Sequence, residues 1–330
     1  MTEPQVSVII PTYNRIASLK KTLAALELQT WSHDCFEVVV VDDGSTDSTP
    51  EIARAQFSFP LRYIRQQNQG SAAARNRGAQ ESSGSLLIFI DDDILPEPGY
   101  IAGLVAEHQR YPRIVGMGTC LPFIQNDDSL FARIFAYTLD ARESGPEGSF
   151  VPFTECTTNN LSVEREDFFE LGMMQDVAGD GPTWWGDVDF GYRAMQAGYQ
   201  FRRSGKAVCY HDDYSVKNLD IFCKRMRQAA RISVLLLKKY PGVFHHLPML
   251  VDKAPISRQD PPALIINKLF HAVTALEPFR WVLRLLVRGF EALIPDPRIL
   301  RPLYRWLMSS YIYEGFHLGL REYGPVKVQS

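Results

Sequence analysis

The chain has 330 residues, 45% of them hydrophobic, and a formal net charge of −3. That composition excludes a disordered chain and can bury a substantial core, as one large α/β domain or a domain with an extension. A near-neutral charge supplies no field that would make nucleic acid the main partner.

The charge is unevenly spread. From residue 261 onward nine Lys and Arg face five acids, so the last stretch is basic and the rest is acidic. The five cysteines, Cys35, Cys120, Cys156, Cys209 and Cys223, lack the close pairs that bind zinc or exchange thiols, and read as reduced residues of a cytoplasmic chain. "MTEPQVSVII" does not read as a signal peptide. No stretch offers the ~18 uncharged apolar residues of a spanning helix.

In chain order, "VSVII" reads as a strand, after which Leu19, Leu23 and Leu26 recur at helical spacing. "FEVVVVD" is a second strand. In "DGSTDSTPEIARA", the capping-box spacing of Ser48 and Glu51 around Pro50 predicts a helix. "LRYI" and "LLIFI" are further strands, separated by "SAAARNRGAQESSG", a predicted helix stopped by Gly84. Near-continuous apolar strands alternating with helices predict an α/β fold with a mostly parallel, doubly wound, Rossmann-like sheet covered on both faces. Residues 150 to 215 read as strand, helix, loop, helix and strand, closing the same domain. Beyond residue 218 the chain reads as helical, which predicts two domains, 1–217 and 218–330. The Pro-rich "DKAPISRQDPPA", residues 252 to 263, is the best linker candidate.

Ligands of parallel sheets bind beyond the carboxyl ends of the strands. There, "LLIFIDDDILPEP" runs straight into Asp91, Asp92 and Asp93. Three adjacent carboxylates repel unless a cation neutralises them, and a hard divalent metal bridging phosphates would do so. The alternative is a polar junction in which Asp caps the next turn. "VVVVDDGSTD" places Asp42 and Asp43 at another strand end, and "IIPTYNR" places Pro11, Thr12 and Tyr13 at the first. A carboxylate with a planar ring can hold a nucleobase; an Asx turn leading into a capped helix explains "DDGSTD" equally.

The ordered set "VSVIIPTYNR", "VVVVDDGSTD", "NQGSAAARNRGA", "FIDDDILP" and "GDVDFGYRAMQAGY" resembles a family 2 glycosyltransferase of the GT-A fold over residues 5 to 240. The resemblance implies inverting transfer of a sugar from a nucleotide diphosphate donor, a UDP-sugar, to a hydroxyl of a glycan or lipid-linked acceptor in polysaccharide or glycoconjugate synthesis. It implies a manganese or magnesium ion as cofactor. Asp91-Asp92-Asp93 matches the DXD element, whose outer members Asp91 and Asp93 address ribose and metal. Pro11, Tyr13, Asp42 and Asp43 match the nucleoside site, and Arg75 the nucleotide contact. Asn160 matches the Asn preceding the acceptor-side helix, and His211 in "AVCYHDD" a histidine that completes the metal shell in several relatives. Asp187 matches the base, which must stand within hydrogen-bond reach of the attacking hydroxyl. Gly186 stands where the family usually has Glu, so Asp189 competes for that role. Asp187 also suits a helix N-cap, with Gly198 ending that helix. Trp184 and Trp185 suit either an acceptor sugar or the core. The loops 120 to 155 and 172 to 186 carry no readable code for sugar or acceptor. Two other classes compete: a sugar-phosphate nucleotidyltransferase, whose Gly-rich loop "PTYNR" lacks, and a non-catalytic sugar-binding scaffold.

Near the C-terminus Arg280, Arg284 and Arg288 share one helical face, with Trp281, Leu285, Leu286, Phe290 and Leu293 over the rest. Arg298, Arg301 and Arg305 continue the basic character. Such helices lie in a membrane interface on anionic lipid, or pack on the catalytic domain or a second subunit with arginine toward water. Arg225, Arg227 and Arg231 face a diphosphate or merely water.

Overall fold

The computed structural model describes residues 4–139, 148–178 and 184–326. Residues 140–147 and 179–183, parts of the 120 to 155 and 172 to 186 stretches, therefore lie outside the described residues. The chain forms two compact units, Met1–Phe123 with Arg142–Asp212, and Ile124–Ala141 with Asp213–Ser330.

The first unit is mixed α/β. Its elements are β1 (Val6–Thr12), α1 (Ile16–Leu26), β2 (Phe36–Asp42), β3 (Leu61–Arg65), α2 (Ser71–Glu81), β4 (Leu86–Ile90), β5 (Ile94–Pro96), α3 (Tyr100–Arg110) and β6 (Ile114–Pro122). Helix α4 (Leu130–Leu139) falls in the second unit, and the first resumes with β7 (Ser149–Phe150), β8 (Asn160–Glu164), α5 (Arg165–Glu170), α6 (Gly186–Gln196) and β9 (Gln200–His211). One nine-stranded sheet runs β3-β2-β1-β4-β8-β6-β9-β5, with β7 also on β9. The parallel half is β3-β2-β1-β4, and every residue of β1, β2 and β4 is buried. That is why these strands are apolar without alternation. Beyond β4, strand β8 enters antiparallel, pairing Ile90 with Asn160, and β5 pairs antiparallel with β9, setting Ile94 opposite His211.

Two local expectations change. The segment after Ser48 is a short 3-10 turn, Thr49–Arg54, without a side-chain cap from Ser48. Asp47 takes that role, accepting from Thr49 N at 3.0 Å and Thr49 Oγ1 at 2.6 Å. Helix α2 ends at Glu81 with Ser82 extended, so Gly84 does not cap it. Gly84 instead lets the chain pass β1, since a Cβ there would stand 2.6 Å from the Val6 carbonyl carbon. By contrast Gly198, at φ +84°, does end α6.

The second unit comprises α4, α7 (Leu219–Lys239), α8 (Pro248–Val251), α9 (Pro262–Thr274), α10 (Glu277–Leu293) and α11 (Pro297–Tyr323). Asn218 caps α7, accepting from Ile221 N, and Asp296 caps α11, accepting from Arg298 N. Phe131, Cys223, Leu283, Val287, Tyr304 and Leu307 lie in its core. Gly315 and Gly319 let α11 touch α7 backbone to backbone, because a Cβ at either would strike the carbonyl oxygen of Arg227 or Arg231. The Pro-rich 252 to 263 stretch is not a free linker. Buried Lys253 pairs with Asp252, Asp252 with His271 at 2.9 Å, and buried Lys268 with Asp260 at 2.6 Å, fastening the segment to α9. Arg225, Arg227 and Arg231, all partly exposed, pair with Asp213, Glu314 and Glu322 at 2.9, 2.7 and 2.6 Å.

Candidate active site at the carboxyl ends of the strands

Because β1, β2 and β4 run parallel, their last residues meet at one edge of the sheet, with Thr12 opposite Asp42. Pro11 is buried there, while Tyr13 stands 47% exposed. Asn14 follows at φ 55°, a left-handed conformation that Asn tolerates. Its Oδ1 accepts from Thr46 N at 2.7 Å and Asp47 N at 3.2 Å, tying the loop after β1 to that after β2.

Asp42 and Asp43 are both buried and organise the surrounding loops. Asp42 Oδ1 accepts from Ser45 N at 2.7 Å, and its Oδ2 accepts from the Tyr63 hydroxyl. Asp43 accepts from Gln66 Nε2, Gln69 N and Gly70 N at 2.8 to 2.9 Å, fixing the turn that starts α2. Within "DDGSTD" the two-residue Asx bond is made by Asp47 to Thr49 N, while Asp42 reaches Ser45 N, three residues on. A carboxylate has about four acceptor positions, so Asp42 and Asp43 each retain capacity for a ligand N–H.

The three aspartates escape mutual repulsion because their surroundings differ. Asp91, with a third of its side chain exposed, pairs with buried Arg75 at 2.5 Å. Asp92 is buried, accepts from Thr12 Oγ1 at 2.7 Å and lies 3.2 Å from Arg15 Nη1. Burial still pushes its carboxyl up to about 7. Asp93 is as deeply buried, yet His211 and Arg15 outweigh that burial and hold it below the usual carboxylate range. Arg15 Nη2 donates to Asp93 Oδ2 at 2.7 Å, and His211 Nε2 lies 3.2 Å from Asp93 Oδ1. Arg15 is a neighbour of the acidic triplet that the sequence pattern did not single out. The only cue was that Arg15 is the one cation in "PTYNR".

His211 reaches Asp93 because β5 pairs with β9. Asn159 lies behind the imidazole, with Nδ2 3.4 Å from His211 Nδ1, and sequence reasoning passed over it in favour of Asn160. Asn160 is buried with its amide consumed internally: Oδ1 accepts from Tyr100 Oη at 2.5 Å and Gly118 N at 3.0 Å, and Nδ2 donates to Gly118 O at 2.7 Å. It clamps β8 to β6.

Helix α6 starts one residue before Asp187. Trp185, at φ 64°, precedes the helix, so the N-cap reading of Asp187 does not hold. Asp187 is half-buried, its Oδ1 accepting from Val188 N at 2.8 Å. Burial pushes its carboxyl up, against the pull of the Val188 N–H and the Arg75 charge, and the Asp91 charge adds to the push. Asp187 therefore shares an electrostatic field with the Arg75–Asp91 pair. Asp189 is fully buried and bonded to Arg193 at 2.8 to 2.9 Å, and that guanidinium also donates to the Leu171 and Met173 carbonyls. It anchors α6 to the turn after α5. Trp184 is half-buried.

Asp93 Oδ1 is a buried atom outside hydrogen-bond geometry, and with His211 Nε2 beside it forms a hard, anionic two-ligand pair. Among the described residues no group of three or more His, Cys, Asp or Glu forms a closed metal cage. A magnesium- or manganese-like ion held by one or two protein ligands and completed by substrate phosphates fits this donor set. Arg75 Nε is likewise buried without a partner, as a group waiting for an anion would be.

A strand-end edge carrying paired acids, buried Arg75 and the exposed Tyr13 lies where ligands of a parallel sheet bind. Comparison with solved structures agrees on the fold. The mannosyltransferase PcManGT of Pyrobaculum calidifontis superposes with a TM-score of 0.61 at 20% identity, over 95% of this chain and 88% of that one. Residues 1–349 of Staphylococcus aureus TarS give a TM-score of 0.50 at 19% identity, over 97% and 92%. The fold is thus of the GT-A type. The model of glycosyl transferase family 2 matches residues 7–161. The chain is 46% identical over 216 residues to the glycosyltransferase AglE of Haloferax volcanii, covering 64% of this chain and 67% of AglE. It is 43% identical over 218 residues to the validoxylamine A glucosyltransferase of Streptomyces hygroscopicus subsp. jinggangensis, covering 58% of this chain and 51% of that protein. It spans about half the length of the latter relative. The chain belongs to glycosyl transferase family 2.

Proposed function

We propose that the protein transfers a sugar, with inversion, from a nucleoside diphosphate donor to an acceptor hydroxyl on a glycan or lipid-linked glycan. The observation that carries this reading is geometric: at the strand ends Arg75 pairs with Asp91, and Arg15 and His211 flank Asp93 at 2.7 and 3.2 Å, which brings acids, cations and an imidazole to the ligand edge of the sheet. The AglE and validoxylamine relatives are named as sugar transferases, and PcManGT was solved with GDP-Man and Mn2+.

In this reading Tyr13 covers one face of the nucleobase, while Asp42 or Asp43 accepts from its ring N–H. Arg75 Nε donates to the diphosphate. Asp91 addresses ribose, and Asp93 with His211 holds a divalent ion, which when bound neutralises the leaving diphosphate. Asp187, raised by burial, accepts the proton of the acceptor hydroxyl as that oxygen bonds to the anomeric carbon. The sugar–phosphate bond breaks on the opposite face, so a single displacement inverts the centre. The nucleotide leaves as the diphosphate. Trp184 and Trp185, flanking α6, offer the acceptor sugar an apolar surface. UDP is the proposed nucleotide.

The test is turnover of UDP- and GDP-sugars with Mn2+, in wild type and in Asp93→Ala and Asp187→Asn. Metal-dependent release of nucleoside diphosphate that both substitutions remove is the expected result. Release of pyrophosphate would indicate nucleotidyl transfer, and equal UDP affinity in chelator and in manganese would end the metal reading.

A further inference from the structure

Helix α10 is turned the opposite way from a solvated amphipathic helix. Arg280 is 2% exposed, paired with Glu314 at 2.8 Å and Glu277 at 2.7 Å, with its guanidinium 4.5 Å from the Tyr311 ring centre. Arg284 approaches the same ring at 5.5 Å. With these cations spent inside the second unit, the outer face carries Phe279, Trp281, Val282, Leu285 and Leu286, each 42 to 59% exposed. Among exposed charged residues that arc holds Arg288 at its edge. Helix α9 presents Ile266, Leu269, Phe270 and Val273, and Phe270 meets the half-exposed Trp306 of α11 edge to face at 5.8 Å.

A folded chain rarely leaves so many large apolar side chains in water without a use. We propose that the outer face of α9 and α10 is a membrane-interface surface, seating flat on a bilayer that contains anionic lipid. Two features select lipid over protein. Trp281 and Trp306 are exposed, and tryptophan favours the boundary between headgroups and chains. Of the exposed charges along residues 262 to 306, Arg298 is paired with Asp296 at 2.8 Å, which leaves Arg288 and Arg305 against Glu277, a basic rim that complements anionic headgroups. No helix of the described residues is long and apolar enough to cross a membrane, so these helices would lie in the interface rather than span it. The surface is independent of the donor-site reading; were both to hold, the acceptor would be a lipid-linked glycan.

The experiment is vesicle flotation of the full chain with phosphatidylcholine alone and with phosphatidylcholine mixed with phosphatidylglycerol. Wild type should bind the mixed vesicles more tightly. The pair Trp281→Glu with Leu285→Glu should weaken that binding at least about tenfold, and Leu269→Glu with Phe270→Glu, on the neighbouring helix, should do the same if the first pair disturbs folding. Arg288→Gln with Arg305→Gln should reduce the preference for the anionic vesicles. Wild type that floats with neither vesicle overturns the proposal, as do glutamate pairs that bind like wild type. A wild-type dimer that the glutamate pairs convert to monomers, without vesicle binding, would give the face to a second copy and also overturn it.

Discussion

The strand-end edge of the first unit and helix α10 of the second both bury charge, and they resolve it differently. At the strand ends the cations are supplied piecemeal: Arg15 for Asp92 and Asp93, Arg75 for Asp91, His211 beside Asp93. The account stays open, with Asp93 Oδ1 and Arg75 Nε lacking hydrogen bonds. In α10, Arg280 pairs with Glu277, Glu314 and the Ala275 carbonyl over the Tyr311 ring, with its Nε left without a partner, and the outside of the helix is apolar. At the strand ends the unpartnered atoms lie where ligands of a parallel sheet bind. In α10 the cation is held inward by acids of its own unit, which leaves the outer face to apolar side chains.

The widest gap between the two regions should appear in activity. Asp187→Asn is expected to lower the transfer rate roughly a thousandfold while nucleotide affinity, measured by calorimetry, is unchanged. An active Asp187→Asn would move the base elsewhere. Asp189→Ala should act on stability instead, costing roughly 3–5 kcal/mol in denaturant titration because Arg193 is left without its buried partner. Arg280→Ala should cost roughly 3 kcal/mol, because it removes a buried guanidinium packed over the Tyr311 ring and bonded to the Ala275 carbonyl and leaves Glu314 with Arg227 alone. A smaller loss there would mean the α10 pairs are not closed.

His108 tests the first unit where a potential cation lacks adequate support. Its ring meets Ser162 Oγ at 3.0 Å, and Glu164 at 3.6 Å does not offset burial, which pushes it down to about 4. The unfolded chain takes up that proton near the ordinary 6.5, so between these values it binds more protons than the folded one. Stability is therefore complete above about 6.5 and falls as pH drops toward about 4, by roughly 3 kcal/mol in all. Urea midpoints of wild type and His108→Gln should converge at low pH; parallel curves would refute the assignment. Gly315→Ala, forcing a Cβ against the Arg227 carbonyl, should cost roughly 1–3 kcal/mol. The smallest effect belongs to the exposed side of α10, where Leu285→Ala should stay within about 0.5 kcal/mol in melting experiments.

The residue string was enough for the buried strands. "VSVII", "FEVVVVD" and "LLIFI" are nearly continuous in apolar residues because both faces of their sheet are covered, and the buried exceptions Ser7 and Glu37 satisfy one another across β1 and β2 at 2.8 Å. The same string could not say that Ser48 would yield its capping role to Asp47, or that Asn160 would be spent on Tyr100 and Gly118, since neighbours along the chain compete on equal terms until a fold picks one. Nor could it pair Arg15 with residues almost eighty positions away.

Periodicity also placed Arg280 and Arg284 on one face of a helix, but a helical period fixes which residues share a side and not which side meets the core. Glu314 and Tyr311, on a later helix, decided that: once a counter-ion and a ring wait inside, a buried arginine is tolerated and its apolar neighbours turn outward.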